Sequence, residues 1–174
     1  MTERGYIGWD ISKFNLDVDN IDYGGMVKSF TPPKIEYVTE DIKPGGGNGT
    51  FVVQVGGLEK LEIKAVLIDA NPNLASLVTS GKIDGQQITF SAIARNQKTG
   101  ERVSLQYIMA GRWNSYDLGD VENGETTEVE LNGAVTVMTI QFSGKNIREI
   151  DIINLIDAIN DSNQLDGEYE MLYG

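Results

Sequence analysis

The sequence predicts a mainly β fold: a β-sandwich or barrel of two packed antiparallel sheets carrying one or two short helices. Three observations point there. Apolar residues recur with period two in several separate runs. Glycine- and asparagine-rich turn signals separate those runs. Helical periodicity is confined to two short stretches, which suits helices that plug one side of a β core.

The first strand signal is Thr31 to Lys43, where Lys34, Glu36 and Glu40 alternate with Ile35, Tyr37 and Thr39. The run passes through Pro44 into Gly45, Gly46, Gly47, Asn48 and Gly49. Glycine has the largest conformational entropy to lose on ordering. A loop of this composition is either mobile or ordered by something outside the subunit.

Leu61, Ile63, Ala65 and Leu67 then alternate with Glu62, Lys64 and Val66. Next comes a helix signal: Asn71 as cap, Pro72 in the first turn, Leu74, Leu77 and Val78 on one stripe, and Gly81 as terminator. Ile88, Phe90, Ala92 and Ala94 alternate with Thr89, Ser91 and Arg95, and Val103, Leu105, Tyr107 and Met109 with Arg102, Ser104 and Gln106. Asn96 to Glu101 joins these two runs as a hairpin, and Glu122 to Glu125 carries an Asn-Gly turn signal.

From Glu128 to Phe142 the alternation is long; before Gly133 the apolar positions are odd (Val129, Leu131), and after it the even positions Ala134, Met138, Ile140 and Phe142 are apolar, and so are Val135 and Val137. Gly133 reads as a bulge or bend that lets one strand serve two surfaces. Ile153 to Asn160 is the second helical candidate, with Ile153, Ile156 and Ile159 spaced by three. No repeat or linker interrupts the chain, so residues 1–174 are expected to form one domain. At this length about 70% of the unfolded surface can be buried.

Composition narrows the function. There is no cysteine and no histidine. Disulfides, thiolate chemistry and triads built on histidine are excluded, and the commonest metal ligand is missing. No cofactor or metal is expected. The opening MTERGYIGWDISKFN lacks the character of a signal peptide, and no apolar run approaches membrane-spanning length; a cytoplasmic origin is expected. The net charge is −12, from 14 basic and 26 acidic residues. Asn114 to Glu130 is acidic throughout and Lys145 to Gly174 largely so, whereas Phe51 to Trp113 is slightly basic. Such a chain repels nucleic acid, whose binding requires neutralised phosphates.

Four features could carry chemistry. The Gly45–Gly49 loop is not a phosphate loop, since no Gly-Lys-Ser/Thr follows it. Asp17 to Asp22 clusters carboxylates without the spacing of a calcium loop and reads as a solvated acidic turn. Trp9, Trp113, Tyr107 and Tyr116 could form a sugar platform, so a carbohydrate-binding β-sandwich is the alternative reading. Paired acids for glycoside hydrolysis are a more distant one.

Two anchors carry a family resemblance. Thr31-Pro32-Pro33-Lys34, about ten residues of strand and then Gly45 to Gly49 resemble the tail tube proteins of P2-like contractile-tailed bacteriophages, a pattern shared by contractile bacteriocin tubes. The second anchor is REIDIINLIDAIN, Arg148 to Asn160, followed by QLDGEYEMLYG. Its matching residues are Glu149, Ile150, Asp151, Asn154, Ile159 and Asn160. The hairpin residues Thr99 to Val103 fit as well. After the glycines the family tends to carry a methionine before the polar residue, whereas here Asn48 follows directly, and the tail NDSNQLDGEYEMLYG is more acidic than is usual.

The resemblance implies a structural protein and no enzyme. Its subunits form hexameric rings stacked into the inner tube of a contractile tail, their strands joining a continuous inner β-barrel. The tube conducts DNA into the host or punctures the envelope. Implied partners are further copies of the chain, the sheath protein, and baseplate and terminator proteins. The tape measure protein and double-stranded DNA would pass through the lumen. The implied location is the virion tail tube, assembled in the bacterial cytoplasm. On this reading Gly45, Gly46, Gly47, Asn48 and Gly49 contact the next ring, and Glu36, Glu40 and Glu62 line the lumen wall.

Overall fold

The computed structural model describes residues 8–174. Residues 1–7, the first part of the opening stretch that lacks signal-peptide character, lie outside the described residues. The described residues form twelve strands, one short 3-10 helix and one short α-helix.

The large sheet is built around β9 (Val129–Phe142). One edge of β9 pairs with β8 (Arg102–Asp117), followed by β7 (Gln86–Asn96), β1 (Trp9–Val18) and β2 (Ile21–Asp22). The other edge is shared. β6 (Leu61–Leu67) lies opposite Val129 to Val135, and β3 (Val27–Thr31) lies outside it. β10 (Lys145–Asp151) lies opposite Val137 to Phe142, with β11 (Ile156–Ile159) and β12 (Ser162–Asn163) beyond. All these pairs are antiparallel. β4 (Tyr37–Ile42) and β5 (Phe51–Leu58) pair only with each other and form a second, two-stranded sheet.

The period-two pattern becomes burial. On β6, Leu61, Ile63, Ala65 and Leu67 are buried while Glu62 and Lys64 face water; on β7, Ile88, Phe90, Ala92 and Ala94 are buried. Each fully buried large aliphatic side chain contributes roughly 1.5–3 kcal/mol. The two wings of the sheet curl over one core. Phe30 on β3 stacks on Phe90 on β7 at 4.9 Å between ring centroids, and Phe14 on β1 reaches Phe90 at 5.6 Å. Backbone bonds fix the chain to each wing on either side of the crossing from β2 to β3: Tyr23 N–H donates to Leu16 O at 2.9 Å and Ile68 N–H to Met26 O at 2.7 Å.

The long strand does serve two partners, but the bend is not at Gly133. Gly133 pairs in register with Ile63 on one side and Trp113 on the other. The bulged residue of β9 is Thr136, which lies between the Val135–Gly111 and Val137–Ala110 pairs. Val135 and Thr136 are consecutively buried, so the inward phase changes there. The edge partner changes from β6 to β10 at the same point, and Thr136 O accepts from Ile152 N–H at 3.0 Å. Gly133 is glycine for another reason. A Cβ there would lie 2.5 Å from Arg112 O and 3.2 Å from the Trp113 ring.

The helix signals fare unevenly. Asn71 caps as expected, its Oδ1 accepting from Asn73 N–H at 3.0 Å, but the element is a 3-10 helix over Pro72–Leu77. It stops short of Gly81 because Val78 is extended and bridges to Trp113. The stretch Ile153 to Asn160 is not a helix. Asp151 Oδ1 accepts from Ile153 and Asn154 N–H, Leu155 has φ of 56°, and β11 follows. Ile153 is exposed, so the threefold spacing never marked a buried stripe. The only α-helix of the described residues, α1 (Glu168–Tyr173), lies where none was expected. The strand signal from Thr31 begins as strand only at Tyr37, after Pro32, Pro33 and a short irregular stretch.

Candidate assembly surface

The β4–β5 hairpin is an arm. Its register is Ile42 opposite Phe51, Asp41 opposite Val52 and Tyr37 opposite Leu58. No other strand or helix of the described residues runs beside either strand. Both outer edges therefore carry backbone donors and acceptors without strand partners, which invites pairing with another chain. Ile42, Phe51, Val52 and Val55 are exposed on this arm, Val52 at 62%. Apolar side chains in such a position have no use in an isolated subunit.

The glycine loop is the tip of the arm. Pro44 to Gly47 makes a turn closed by Gly47 N–H to Pro44 O at 3.1 Å. Gly46 has φ of 81°, the left-handed region, and a Cβ on Gly47 would come within 2.6 Å of Pro44 Cγ. A Cβ on Gly45 or Gly49 would meet nothing within 4 Å. The subunit itself thus demands glycine at two of these positions and leaves the others open. The whole tip, Lys43 to Thr50, is exposed.

The three glutamates are not all together. Glu36 and Glu62 border one open cleft of about 570 Å³, alongside Lys34, Lys60 and Lys64. Glu40 lies out on the arm, opposite Val53. Lys34 pairs with Glu36 and Lys60 with Glu62, each at 2.9 Å, and Lys64 with Glu130 at 3.3 Å. Exposed pairs of this kind are worth about 0–1 kcal/mol. A hydrogen bond from Asn132 and the Lys64 ammonium hold the Glu130 carboxyl below its ordinary pKa. The cleft is mixed in charge: Glu36 and Glu62 are each paired with a lysine, and Glu59 lines it as well.

A buried polar cluster holds the root of the arm, and the sequence offered no sign of it. Arg148 on β10 donates through Nη2 to the Tyr37 hydroxyl at 2.6 Å and to Asp157 Oδ2 at 3.0 Å. The Tyr37 hydroxyl in turn donates to Asp157 Oδ2. The Asp157 side chain is 3% exposed and that of Arg148 16%. Burial, and then the bond to Asp157, push the Tyr37 pKa above its ordinary value. Apolar packing supports the same root, where Ile35 and Leu58 lie against the core.

The rival sites do not assemble. Trp113 is fully buried, and Tyr107 packs edge-on to Phe90, so the aromatic platform is not presented to solvent. Trp9 packs edge-on against Phe142 at 5.3 Å. In the acidic turn, Asp19 Oδ1 accepts from Gln87 N–H and Asp22 Oδ1 from Gly24 N–H, so these carboxylates shape the backbone. Among the described residues no group of acids has the arrangement of a metal site, and no helix is long and apolar enough to cross a membrane.

Comparison with known proteins agrees with this geometry. The chain is 28% identical over 154 residues to the tail tube protein of Escherichia phage P2, covering 87% of this chain and 90% of that one. It is 26% identical over 152 residues to the major tail tube protein of Serratia phage KSP20, covering 82% of each. The same fold occurs in an extracellular contractile injection system. A chain of its PVC sheath–tube complex in the extended state aligns with a TM-score of 0.54 at 15% identity, over 80% of this chain and 93% of that one. A chain of the PVC sheath/tube terminator aligns at 0.52 with 15% identity, over 75% and 94%. The family model for phage tail tube protein FII matches residues 10–169, and the chain belongs to that family.

Proposed function

We propose that the chain, acting as one domain over residues 1–174, assembles into hexameric rings that stack as the inner tube of a contractile tail. The observation that carries this reading is the β4–β5 arm, which stands off the core with open strand edges and exposed apolar side chains. Pairing the arm with neighbouring subunits covers those groups, and closure around a ring removes the edges altogether. The Gly45 to Gly49 tip then reaches the next ring. Its ordering entropy is lost once per interface, as in coupled folding and binding. The role is structural and not catalytic.

The partners follow from the same assembly. Further copies build the tube, the sheath surrounds it, and terminator and baseplate proteins close its ends; a sheath–tube complex and a sheath/tube terminator are among the similar structures. Glu36, Glu40 and Glu62 face the lumen, through which the tape measure protein and double-stranded DNA pass. With Lys34, Lys60 and Lys64 beside Glu36 and Glu62, that wall neither grips a polyanion nor excludes it. The subunit is made in the bacterial cytoplasm and ends in the virion.

Electron microscopy of the purified chain at rising concentration, with and without a tube seed, tests this. Six-membered rings and tubes are expected. A monomer in every seeded and unseeded sample would refute it.

A further inference from the structure

We infer that the Tyr37–Arg148–Asp157 cluster is a latch that sets the direction of the β4–β5 arm before the subunit meets its neighbours. This rests on the reading that the arm acts between subunits.

The cluster bridges two sheets that share no strand pairing. Tyr37 is the first residue of β4 and pairs with Leu58, the last of β5. Arg148 and Asp157 belong to β10 and β11, which pair with each other. Among the described residues, no other side-chain hydrogen bond or ion pair joins residues 37–58 to the large sheet. The remaining support, packing of Ile35 and Leu58 on the core, is non-directional and tolerates sliding. Hydrogen bonds to a charged group are directional and strong.

Stability alone does not call for a buried ion pair at this place. Apolar residues of similar volume often hold a fold as well or better. A directional contact that ties two separate bodies at one point does offer a defined angle between them. The arm's own construction agrees. Its register shifts between Tyr37 and Thr39, where β5 carries extra residues at the Gly56–Gly57 stretch. The root is held by the latch, while the tip beyond this bulge can adjust. An arm aimed in advance loses less freedom on docking.

The experiment uses the absence of native cysteine. Spin labels at Gln54→Cys, exposed on the β5 strand of the arm, and Lys98→Cys, on the β7–β8 hairpin, report the arm's direction by pulsed electron resonance in the monomer. A narrow distance distribution is expected in this background and a broad one when Tyr37→Phe is added, with circular dichroism showing the same fold. In unlabelled protein, Tyr37→Phe is expected to raise the concentration needed for seeded assembly about tenfold, as when a tenth of the molecules hold the competent conformation. Arg148→Lys, which keeps the charge but ends one bond short of the Nη2 that makes both bonds, is expected to do the same and serves if Tyr37→Phe does not fold.

A distribution already broad with Tyr37 in place, or equally narrow in both variants, overturns the latch. A broadened arm with unchanged assembly supports the latch and refutes the intersubunit role of the arm. Weaker assembly without broadening overturns the latch and leaves that role standing.

Discussion

Replacing Gly133 with alanine tests whether close backbone approach, and not a bulge, explains this glycine. Gly133 is buried in the middle of β9, flanked by β6 and β8. The added Cβ would lie 2.5 Å from Arg112 O, 3.1 Å from Trp113 Cα and 3.2 Å from Trp113 Cε3. The first two are backbone atoms of a paired strand and cannot swing aside. The tryptophan is fully buried and has no space to retreat into. Overpacking of this kind costs about 1–3 kcal/mol, and a clash with backbone belongs at the upper end, about 3 kcal/mol. Alanine also reduces the entropy of the unfolded chain, which returns about 0.4–1 kcal/mol where the backbone conformation is compatible. The net expectation is a loss of about 2 kcal/mol, or roughly 4–8 °C in Tm for a chain of this size. Gly45→Ala is the control, because its Cβ would meet nothing within 4 Å; it should be neutral or stabilising by up to about 1 kcal/mol. Urea unfolding of both variants as monomers reads the difference. Equal midpoints for Gly133→Ala and the unsubstituted chain would refute the close-approach argument.

Replacing Gly46 and Gly47 together with alanine should cost the monomer about 1–2 kcal/mol, since Gly46 is left-handed, while the exposed tip leaves the rest of the fold intact and ring stacking weakens; loss of the fold with stacking untouched would mean the tip belongs to the core. Stability should fall as pH rises above 10, because Tyr23, Tyr37 and Tyr107 hold their protons more tightly folded than unfolded, chiefly through burial. Tyr37→Phe should make that decline shallower, as read by melting at stepped pH; a profile of unchanged slope would contradict it. Fluorescence anisotropy with a short DNA duplex should show no binding at physiological salt, given the net charge of −12, while assembly should respond to ionic strength. Micromolar binding that weakens steeply with salt would show a basic lumen instead.

Neighbouring residues alone settle the local features of this chain. Period two decided which residues of β6 and β7 enter the core, because successive strand side chains alternate by geometry. Asn71 announced its cap, and Asn96 to Glu101 its hairpin; in the latter Asn96 Oδ1 accepts from Lys98 N–H at 2.9 Å and Thr99 N–H at 3.1 Å. These bonds span only a few residues and depend on nothing distant. The family was also legible, because its anchors are short contiguous runs. The rest takes shape only when distant strands pack. The 3-10 helix ends at Leu77 because Val78 meets Trp113 from β8. Apolar residues at both Val135 and Val137 left the phase change of β9 open, until β6 and β10 divided its edge around Thr136. Ile153 to Asn160 has a helical spacing that Asp151 overrides by binding two backbone N–H groups. The arm and its latch were least legible of all. Tyr37 lies 111 residues from Arg148 and 120 from Asp157, and each alone reads as an ordinary residue of an amphipathic strand or turn. Charge pairing and burial at that separation exist only once the strands are in place.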